Sequence, residues 1–356
     1  MAVALLVGVL SGLRWPSPYT LSHLVIDYHF GFGKRGLIGA ILERADRPPY
    51  HYATLVWLVV GVFAAWSGLL MVAARRGIKG NAAIAWAFIL FFLSAGFASL
   101  VCDIGRGEHF GLLLAVPCLF MPTTPRFLCA RVLCGLAAVL AQEANFLITV
   151  PVIALDVWVA SAGGKRLAQM SRTVCVALPA AALAAYLGNT LTACNLSVAA
   201  PYFQKMAADF SFAVVPLKTL CNDGGTNYRL ALATLWNVPG AVRMIPVALF
   251  AAMPSTVYNL WLASRLMRPG RLDLAVWVAC VCSPLVLLIV AVDVVRFVTL
   301  PQVTSLCLVV SALRRGIVPP VRVDVRLVYA LAILELVMCI PLNDGGVMRG
   351  LPAWHP

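Results

Sequence analysis

The chain has 356 residues, of which 62% are hydrophobic and only 12% are charged. Its mean hydropathy of +0.92 lies far outside the range of soluble domains and excludes an ordinary water-soluble protein. The formal net charge is +13, but the cations stand in pairs and triplets between apolar runs, which argues against a nucleic-acid partner and is typical of a membrane protein.

Apolar segments follow one another along the whole chain, and several approach the roughly 20 residues that a helix needs to cross a bilayer. They lie near 1–13, 53–74, 83–101, 109–121, 127–141, 145–162, 173–190, 243–264, 272–292, 296–313 and 324–342. The first is short and resembles the core of a signal peptide, but we expect a signal-anchor helix because no small-residue cleavage site precedes Arg14. The prediction is an all-α polytopic transmembrane bundle of about eleven spans, in a single integral-membrane domain, 1–356.

Lys and Arg mark the cytoplasmic loops of membrane proteins, and this rule orients the predicted bundle. Basic loops then lie inside, with the amino terminus, near 75–82, 122–126, 163–172, 265–271 and 314–323. Two longer segments face outward. We expect 14–52 to be a re-entrant or interfacial segment and 191–242 a small extracytoplasmic lobe, in which Cys194 and Cys221 could form a disulfide.

The most distinctive string runs from Asp27 to Gly39 in the first outward segment. It carries a carboxylate, an imidazole and two adjacent cations on a glycine-rich backbone, namely Asp27, His29, Lys34 and Arg35. A Lys–Arg pair suits a phosphate or pyrophosphate, because Arg gives bidentate contact. The alternative is a loop at the membrane interface whose cations bind lipid headgroups.

A second polar string is the short turn that contains Asp103, Arg106, Glu108 and His109. Four ionisable groups beside hydrocarbon are costly unless they pair or bind a ligand. The string therefore predicts a substrate-binding site. The alternative is a hairpin that neutralises itself, with Asp103 bound to Arg106 and Glu108 bound to His109.

Two shorter outward turns complete the set of candidates. Glu143 joins two apolar segments almost without a loop, and a carboxyl at that depth suits a general acid or base. Asp293 and Arg296 stand three residues apart, which also allows a simple local ion pair. Asp156 and Glu335 lie within apolar segments, so we expect both to face the interior of the bundle.

Three of these strings resemble segments of bacterial multi-pass membrane proteins of surface-polysaccharide synthesis. The stretch from Asp27 to Gly39 resembles their D-x-x-x-G-F-x-(K/R)-R-G-L-x-G segment. Glu143, with Phe146 and Pro151, resembles H-E-x-x-F-x-x-x-x-P, except that position 142 is glutamine. The hairpin from Asp293 to Phe297 resembles H-D-x-x-R-(W/F), but it lacks the histidine.

The wider similarity is to GT-C-type membrane glycosyltransferases and polysaccharide polymerases. The resemblance implies a polyprenyl-phosphate-linked sugar donor, used at the periplasmic face of the bacterial inner membrane, with Asp27 or Glu143 as catalytic base. Lys34 and Arg35, together with Arg106 or Arg296, would hold the diphosphate. No cofactor is expected, although Asp27 and Asp103 could hold a divalent metal. Membrane lipids and other polysaccharide-assembly proteins are expected partners.

Two alternatives from other functional classes stay open. A transporter or flippase for a charged lipid or polar solute would explain the apolar bundle and the cations equally well. It predicts ionisable residues near the middle of the membrane, where only Asp156 and Glu335 qualify. A non-catalytic subunit of a polysaccharide export complex is the third hypothesis.

Overall fold

The computed structural model describes most of the chain. The described residues are 1–26, 28, 36–45, 50–78, 81–102, 104–122, 124–162, 164–190, 204, 228–229, 233, 241–289, 294–313 and 321–344. Within these ranges the chain is helical and contains no strand, which confirms the predicted all-α class. The predicted lobe at 191–242, with Cys194 and Cys221, lies almost entirely outside the described residues.

The helices follow the apolar segments closely. In chain order they are α1 Ala2–Gly12, α2 Pro18–Ser22, α3 Gly36–Ala45, α4 Tyr52–Ile78, α5 Ala82–Phe92, α6 Ala95–Cys102, α7 Gly107–Cys118, α8 Pro125–Ala141, α9 Asn145–Ala160, α10 Arg166–Thr190, α11 Ala241–Met267, α12 Arg271–Cys282, α13 Val294–Leu313 and α14 Val325–Asp344. Short 3₁₀ turns, His23–Val25 and Ser283–Ile289, follow α2 and α12.

Several of these helices are long and apolar enough to cross a membrane. Within the described chain five meet that test by length and composition, at Tyr52–Arg75, Arg166–Leu187, Ile245–Met267, Arg271–Ile289 and Arg296–Leu313. A sixth candidate is the bent pair α5 and α6. Others are shorter, including α1 with 11 residues and α9 with 16. The count of eleven spans and the cytoplasmic amino terminus stay predictions.

Helix α13 lies at the centre of the bundle. In its candidate span 94% of the residues are buried, and it packs against α4, α5, α6, α9, α11 and α12. By contrast, α10 and α12 expose most of their apolar surface, with only 17% and 22% of their spans buried. Exposed apolar faces of this kind are stable in lipid rather than in water, which agrees with a membrane protein.

The segment predicted as 83–101 is two helices that meet at an angle of 47°. At the break the Ser94 hydroxyl accepts a hydrogen bond from the Phe97 backbone N–H, at 3.3 Å. The Gly96 N–H instead donates to Oε1 of Gln302 on α13, at 2.6 Å. A side chain at position 96 would collide with Gln302, so the glycine allows the broken helix to approach α13 closely.

Aromatic rings fill the space between α4, α5 and α6. Trp66 on α4 stacks on Phe97 with ring centroids 6.4 Å apart, and it contacts Phe91 edge to face at 6.3 Å. Helix α1 packs across the same region through Gly8 and Gly12, where a Cβ would meet the backbone carbonyls of Phe92 and Ala98. The short first helix is therefore seated against the break between α5 and α6.

Candidate functional site

The predicted site residues divide into two groups. Arg106, Glu108, His109, Glu143 and Arg296 lie among the described residues. The others are outside them: Asp27, His29, Lys34, Arg35, Asp103 and Asp293. Two of these lie close in sequence to described site residues: Asp103 precedes Arg106 by three residues, and Asp293 precedes Arg296 by three.

Glu108 is the centre of a buried polar group at one end of the bundle. It lies in the first turn of α7 and is only 1% exposed. Its Oε1 accepts a hydrogen bond from Nε2 of Gln142 at 3.0 Å and lies 3.5 Å from Nη2 of Arg296. The four residues Glu108, Gln142, Asn145 and Arg296 are called the Glu108 cluster below. It joins α7, the α8–α9 turn and α13.

The charge on Glu108 is compensated on several sides. Burial raises the pKa of this carboxyl, but the guanidinium groups of Arg296 and Arg106, a backbone hydrogen bond and His109 together lower it by more, so the pKa lies below its ordinary value. The positive end of α7 also favours an anion in its first turn. Among the residues that the structure describes, Oε2 of Glu108 has no hydrogen-bond partner. That oxygen could therefore accept a hydrogen bond from a bound hydroxyl.

Asn145 fixes the start of α9 against α7. Its Nδ2 donates to the carbonyls of Gly107 at 3.0 Å and Ala138 at 2.9 Å, and its Oδ1 accepts from the Thr149 hydroxyl at 3.0 Å. Asn145 is fully buried. This one amide bonds to three helices, which keeps the Glu108 cluster in a defined geometry.

Two glycines on one face of α7 permit these contacts. A Cβ at Gly107 would collide with the Gln142 side chain, and a Cβ at Gly111 would collide with the side-chain oxygens of Asn145 and Thr149. Glycines spaced four residues apart let neighbouring helices approach closely in membranes. Gly107 and Gly111 therefore belong to the framework of the site.

Gly111→Ala is expected to destabilise the protein by about 1–3 kcal/mol, because the added methyl group has no room against Asn145 and Thr149. Gly61→Ala on α4 is the matched control. Nothing lies within 4 Å of a Cβ at Gly61, so alanine there should be neutral or stabilise the helix by up to about 1 kcal/mol. Thermal unfolding of the purified proteins in detergent measures both effects, and equal midpoints for the two variants would contradict the packing argument.

Glu143 is the most accessible carboxylate near the cluster. It lies half-buried in the turn between Gln142 and α9, and its carbonyl accepts a hydrogen bond from the Phe146 N–H at 3.1 Å. Arg106, also half-buried, stands directly before α7. The predicted string around 106–109, the turn at 142–145 and Arg296 thus come together, although up to 190 residues separate them along the chain.

His109 faces the packed interior. It is 2% exposed, and its Nε2 lies 2.9 Å from the carbonyl of Leu100 while its Nδ1 lies 3.3 Å from the carbonyl of Arg106. Its ring meets Phe63 edge to face at 5.9 Å. The alternative of a local pair between Glu108 and His109 stays open, and Glu108 also binds across helices to Gln142 and Arg296, whose side chains reach its carboxylate.

A second buried ion pair was not predicted. Arg131 on α8 and Asp156 on α9 are both fully buried, with Nη2 and Oδ2 2.8 Å apart. Arg131 also donates to the carbonyls of Cys118, Met121 and Pro122, at 2.7–3.0 Å, and so satisfies the carboxyl end of α7. The expectation that Asp156 faces the interior is confirmed. The pair holds α8 and α9 together, and Arg131 could not be predicted from the sequence as the partner of Asp156.

Glu335 forms a third buried polar group, and its predicted interior position is also confirmed. Its Oε1 accepts from the backbone N–H of Ser255 at 2.7 Å, and both carboxyl oxygens lie 3.3 Å from Nε2 of Gln302. Gln302 in turn accepts from Gly96 at the α5–α6 break. A carboxyl group inside the bundle is therefore linked to a discontinuous helix through one amide side chain.

The described residues contain no group of three or more His, Cys, Asp and Glu side chains that could hold a metal ion. Asp27 and Asp103, which were named only as a possible pair of metal ligands, lie outside them. An open apolar groove of about 610 Å³ runs between α11 and α14, lined by residues such as Val257, Trp261 and Leu327. None of the predicted site residues that the structure describes lines it.

The Glu108 cluster and its neighbours can do defined chemistry. Glu108 offers a free acceptor oxygen, Glu143 an accessible carboxylate, and Arg106 and Arg296 supply positive charge within one short region. Such a set can bind a polar, partly anionic group beside the apolar surface of the bundle.

No protein-family model matches the chain, and no curated protein or solved structure is significantly similar to it.

Proposed function

We propose that the chain is an integral-membrane glycosyltransferase or polysaccharide polymerase that uses a polyprenyl-phosphate-linked sugar at the periplasmic face of a bacterial inner membrane. One observation carries the proposal: the polar strings at 106–109, 142–145 and 296, distant in sequence, meet at one end of an apolar bundle. A lipid-linked sugar needs such a place, where a polar headgroup and an apolar chain are bound side by side.

Glu143 is the proposed catalytic base among the described residues. It is half-buried rather than enclosed, so an acceptor hydroxyl can reach it, while Glu108 is ionised and held by Gln142 and Arg296. Glu143 would take the proton from the acceptor hydroxyl as the hydroxyl attacks the sugar. Oε2 of Glu108 would accept a hydrogen bond from a sugar hydroxyl.

The negative charge of the leaving diphosphate has to be stabilised by cations. Arg296 is 8% exposed and already faces Glu108, so its charge is partly compensated. Arg106 at the start of α7 is more accessible. We assign the diphosphate contacts to Lys34, Arg35 and Arg106. Stabilisation of the developing negative charge by these cations is the expected source of catalysis.

Glu143→Gln tests this proposal. The amide keeps the size and polarity of the carboxylate but cannot accept the proton, so polymer formation is expected to fall about 100-fold or more. Surface polysaccharide and lipid-linked intermediates would be measured in cells that express wild-type levels of the variant. Glu43→Gln, which changes an exposed carboxylate on α3, is the control and should leave the polymer unchanged. Wild-type polymer with Glu143→Gln would refute the catalytic role.

A transporter or flippase is the second candidate, and the Glu335–Gln302–Gly96 connection favours it. Helices broken inside the membrane line the substrate sites of many transporters, and a buried carboxyl can carry a proton there. The same cellular assay separates the two functions. Loss of polymerase activity leaves lipid-linked units on the outer leaflet, whereas loss of a flippase through Glu335→Gln would trap them on the inner leaflet.

A further inference from the structure

A polar cavity lies at the opposite end of α9 from the Glu108 cluster. Asn145 begins this helix at the cluster, and Trp158, thirteen residues later, stands about 20 Å further along its axis. There a cavity of about 310 Å³ opens between α9, α10, α11 and α12. Its lining includes Trp158, Arg166, Gln169, Arg268, Asp273 and Trp277.

One wall of this cavity is a closed hydrogen-bond network. Arg166 holds Asp273 in bidentate fashion, with Nη1–Oδ1 at 2.6 Å and Nη2–Oδ2 at 2.9 Å. Trp158 Nε1 donates to Oδ1 at 3.0 Å, and the Gly270 N–H donates to Oδ2 at 3.0 Å. The carboxylate is therefore fully satisfied and its charge is matched by Arg166. These hydrogen bonds occupy both carboxylate oxygens of Asp273, so this wall offers no acceptor to a cationic ligand.

The groups that this cavity offers to a ligand are hydrogen-bond donors. Trp277 is 2% exposed, and its Nε1 has no hydrogen-bond partner in the part of the chain that the structure describes. A buried indole N–H normally finds an acceptor, so its absence points to a group that binds there. Arg268 lines the same cavity and is exposed. An anionic ligand would accept a hydrogen bond from the Trp277 indole N–H and pair with the positive charge of Arg268.

The backbone of Arg268 supports a binding role for its side chain. Its φ of 48° is left-handed, and its N–H bonds to the Ser264 carbonyl at 2.9 Å, as in the cap that ends many helices. Glycine is the residue that best fits this position. The chain places an arginine there instead, and this costs backbone stability but puts a guanidinium group at the cavity.

The surrounding charge has the same sign. The two short connections that border the cavity and the adjoining ends of α10, α11 and α12 carry Lys165, Arg166, Arg172, Arg265, Arg268 and Arg271, and Asp273 is the acid next to them. We propose that this cavity binds a phosphate group, held by the guanidinium of Arg268 and the indole N–H of Trp277. A phospholipid headgroup and a soluble phosphate share this chemistry, and basic cavities between membrane helices commonly bind anionic headgroups.

Arg268→Gly is the decisive variant, because it removes the cation while giving the left-handed position the residue that suits it best. The purified full-length protein in detergent would be examined by native mass spectrometry with phosphatidylglycerol, phosphatidylcholine or soluble pyrophosphate. We expect phosphatidylglycerol to bind in preference to phosphatidylcholine, and Arg268→Gly to weaken that binding about tenfold or more. Trp277→Phe, which keeps the ring and loses the N–H, should weaken it several-fold.

Arg271→Gln is the matched control. It removes one charge three residues further along, at the start of α12, but Arg271 does not line the cavity. Its phosphatidylglycerol binding should stay within about twofold of wild type. If pyrophosphate binds with the same dependence on Arg268 and Trp277, the phosphate comes from a soluble ligand. Equal losses with Arg268→Gly and Arg271→Gln, or no binding of either probe, would overturn the proposal.

Discussion

Arg131→Met is expected to destabilise the protein by about 3–5 kcal/mol, enough to prevent the accumulation of folded protein. Methionine fills much of the same space, but it leaves the carboxylate of Asp156 buried without its cation. It also removes the donors that satisfy three carbonyls at the carboxyl end of α7. Fluorescence-detected size-exclusion chromatography of detergent extracts, followed by thermal unfolding, measures the loss.

Arg126→Met is the control, because Arg126 is exposed on the same helix and its loss should change stability by less than about 0.5 kcal/mol. A double variant, Arg131→Met with Asp156→Leu, removes both charges and should recover part of the stability. It should not recover all of it, since the hydrogen bonds from Arg131 to the carbonyls of Cys118, Met121 and Pro122 stay absent. Wild-type stability of Arg131→Met alone would show that this pair does not hold the helices together.

Arg296→Met should destabilise the protein by about 3–5 kcal/mol as well, since it leaves the ionised Glu108 buried with a much weaker counter-charge. It also removes the guanidinium that lies 4.5 Å over the ring of Phe297. Thermal unfolding would again give the size of the loss. Arg326→Met, at an exposed position of α14, removes the same charge and is expected to have little effect.

The pairing partner can be tested directly. Glu108→Gln in the Arg296→Met background removes the uncompensated charge and keeps a side chain that can bond to Gln142. This double variant should therefore be more stable than Arg296→Met alone. If it is less stable, the two residues do not act as a pair.

Any activity measured for Arg296→Met has to be corrected for the amount of folded protein, whereas Glu143→Gln needs little correction because Glu143 is half-buried.

The helices could be predicted well from hydropathy alone. The segments expected at 145–162 and 296–313 are helices Asn145–Ala160 and Val294–Leu313. Breaks inside apolar segments could not be predicted in this way. The expected helix at 83–101 is interrupted because Gly96 bonds to Gln302, more than 200 residues away. The segment 272–292 changes from α-helix to 3₁₀ after Cys282, close to Pro284, which lacks an N–H.

The candidate site was predictable as a set of residues but not as a network. Polar strings beside apolar segments indicated Glu108, Glu143 and Arg296 as candidate site residues, and the structure places Arg296 against Glu108 and Glu143 next to Gln142. Their contacts were not predictable, because short sequence spacing favoured local pairs such as Glu108 with His109, whereas helix packing brings Arg296 to Glu108. Asn145 and Gly111 gave no signal of charge or motif, since their role is to fix distances between helices.

The central position of α13 has a consequence for how the chain enters the membrane. This helix carries Arg296, Thr299, Gln302, Thr304, Ser305 and Ser311, all of which are buried by neighbouring helices. Alone in lipid these side chains would lose their partners, so α13 is poorly suited to partition into the bilayer by itself. Its stable insertion during synthesis should depend on the earlier helices, above all α6, α9 and α11, which must already stand in place to receive it.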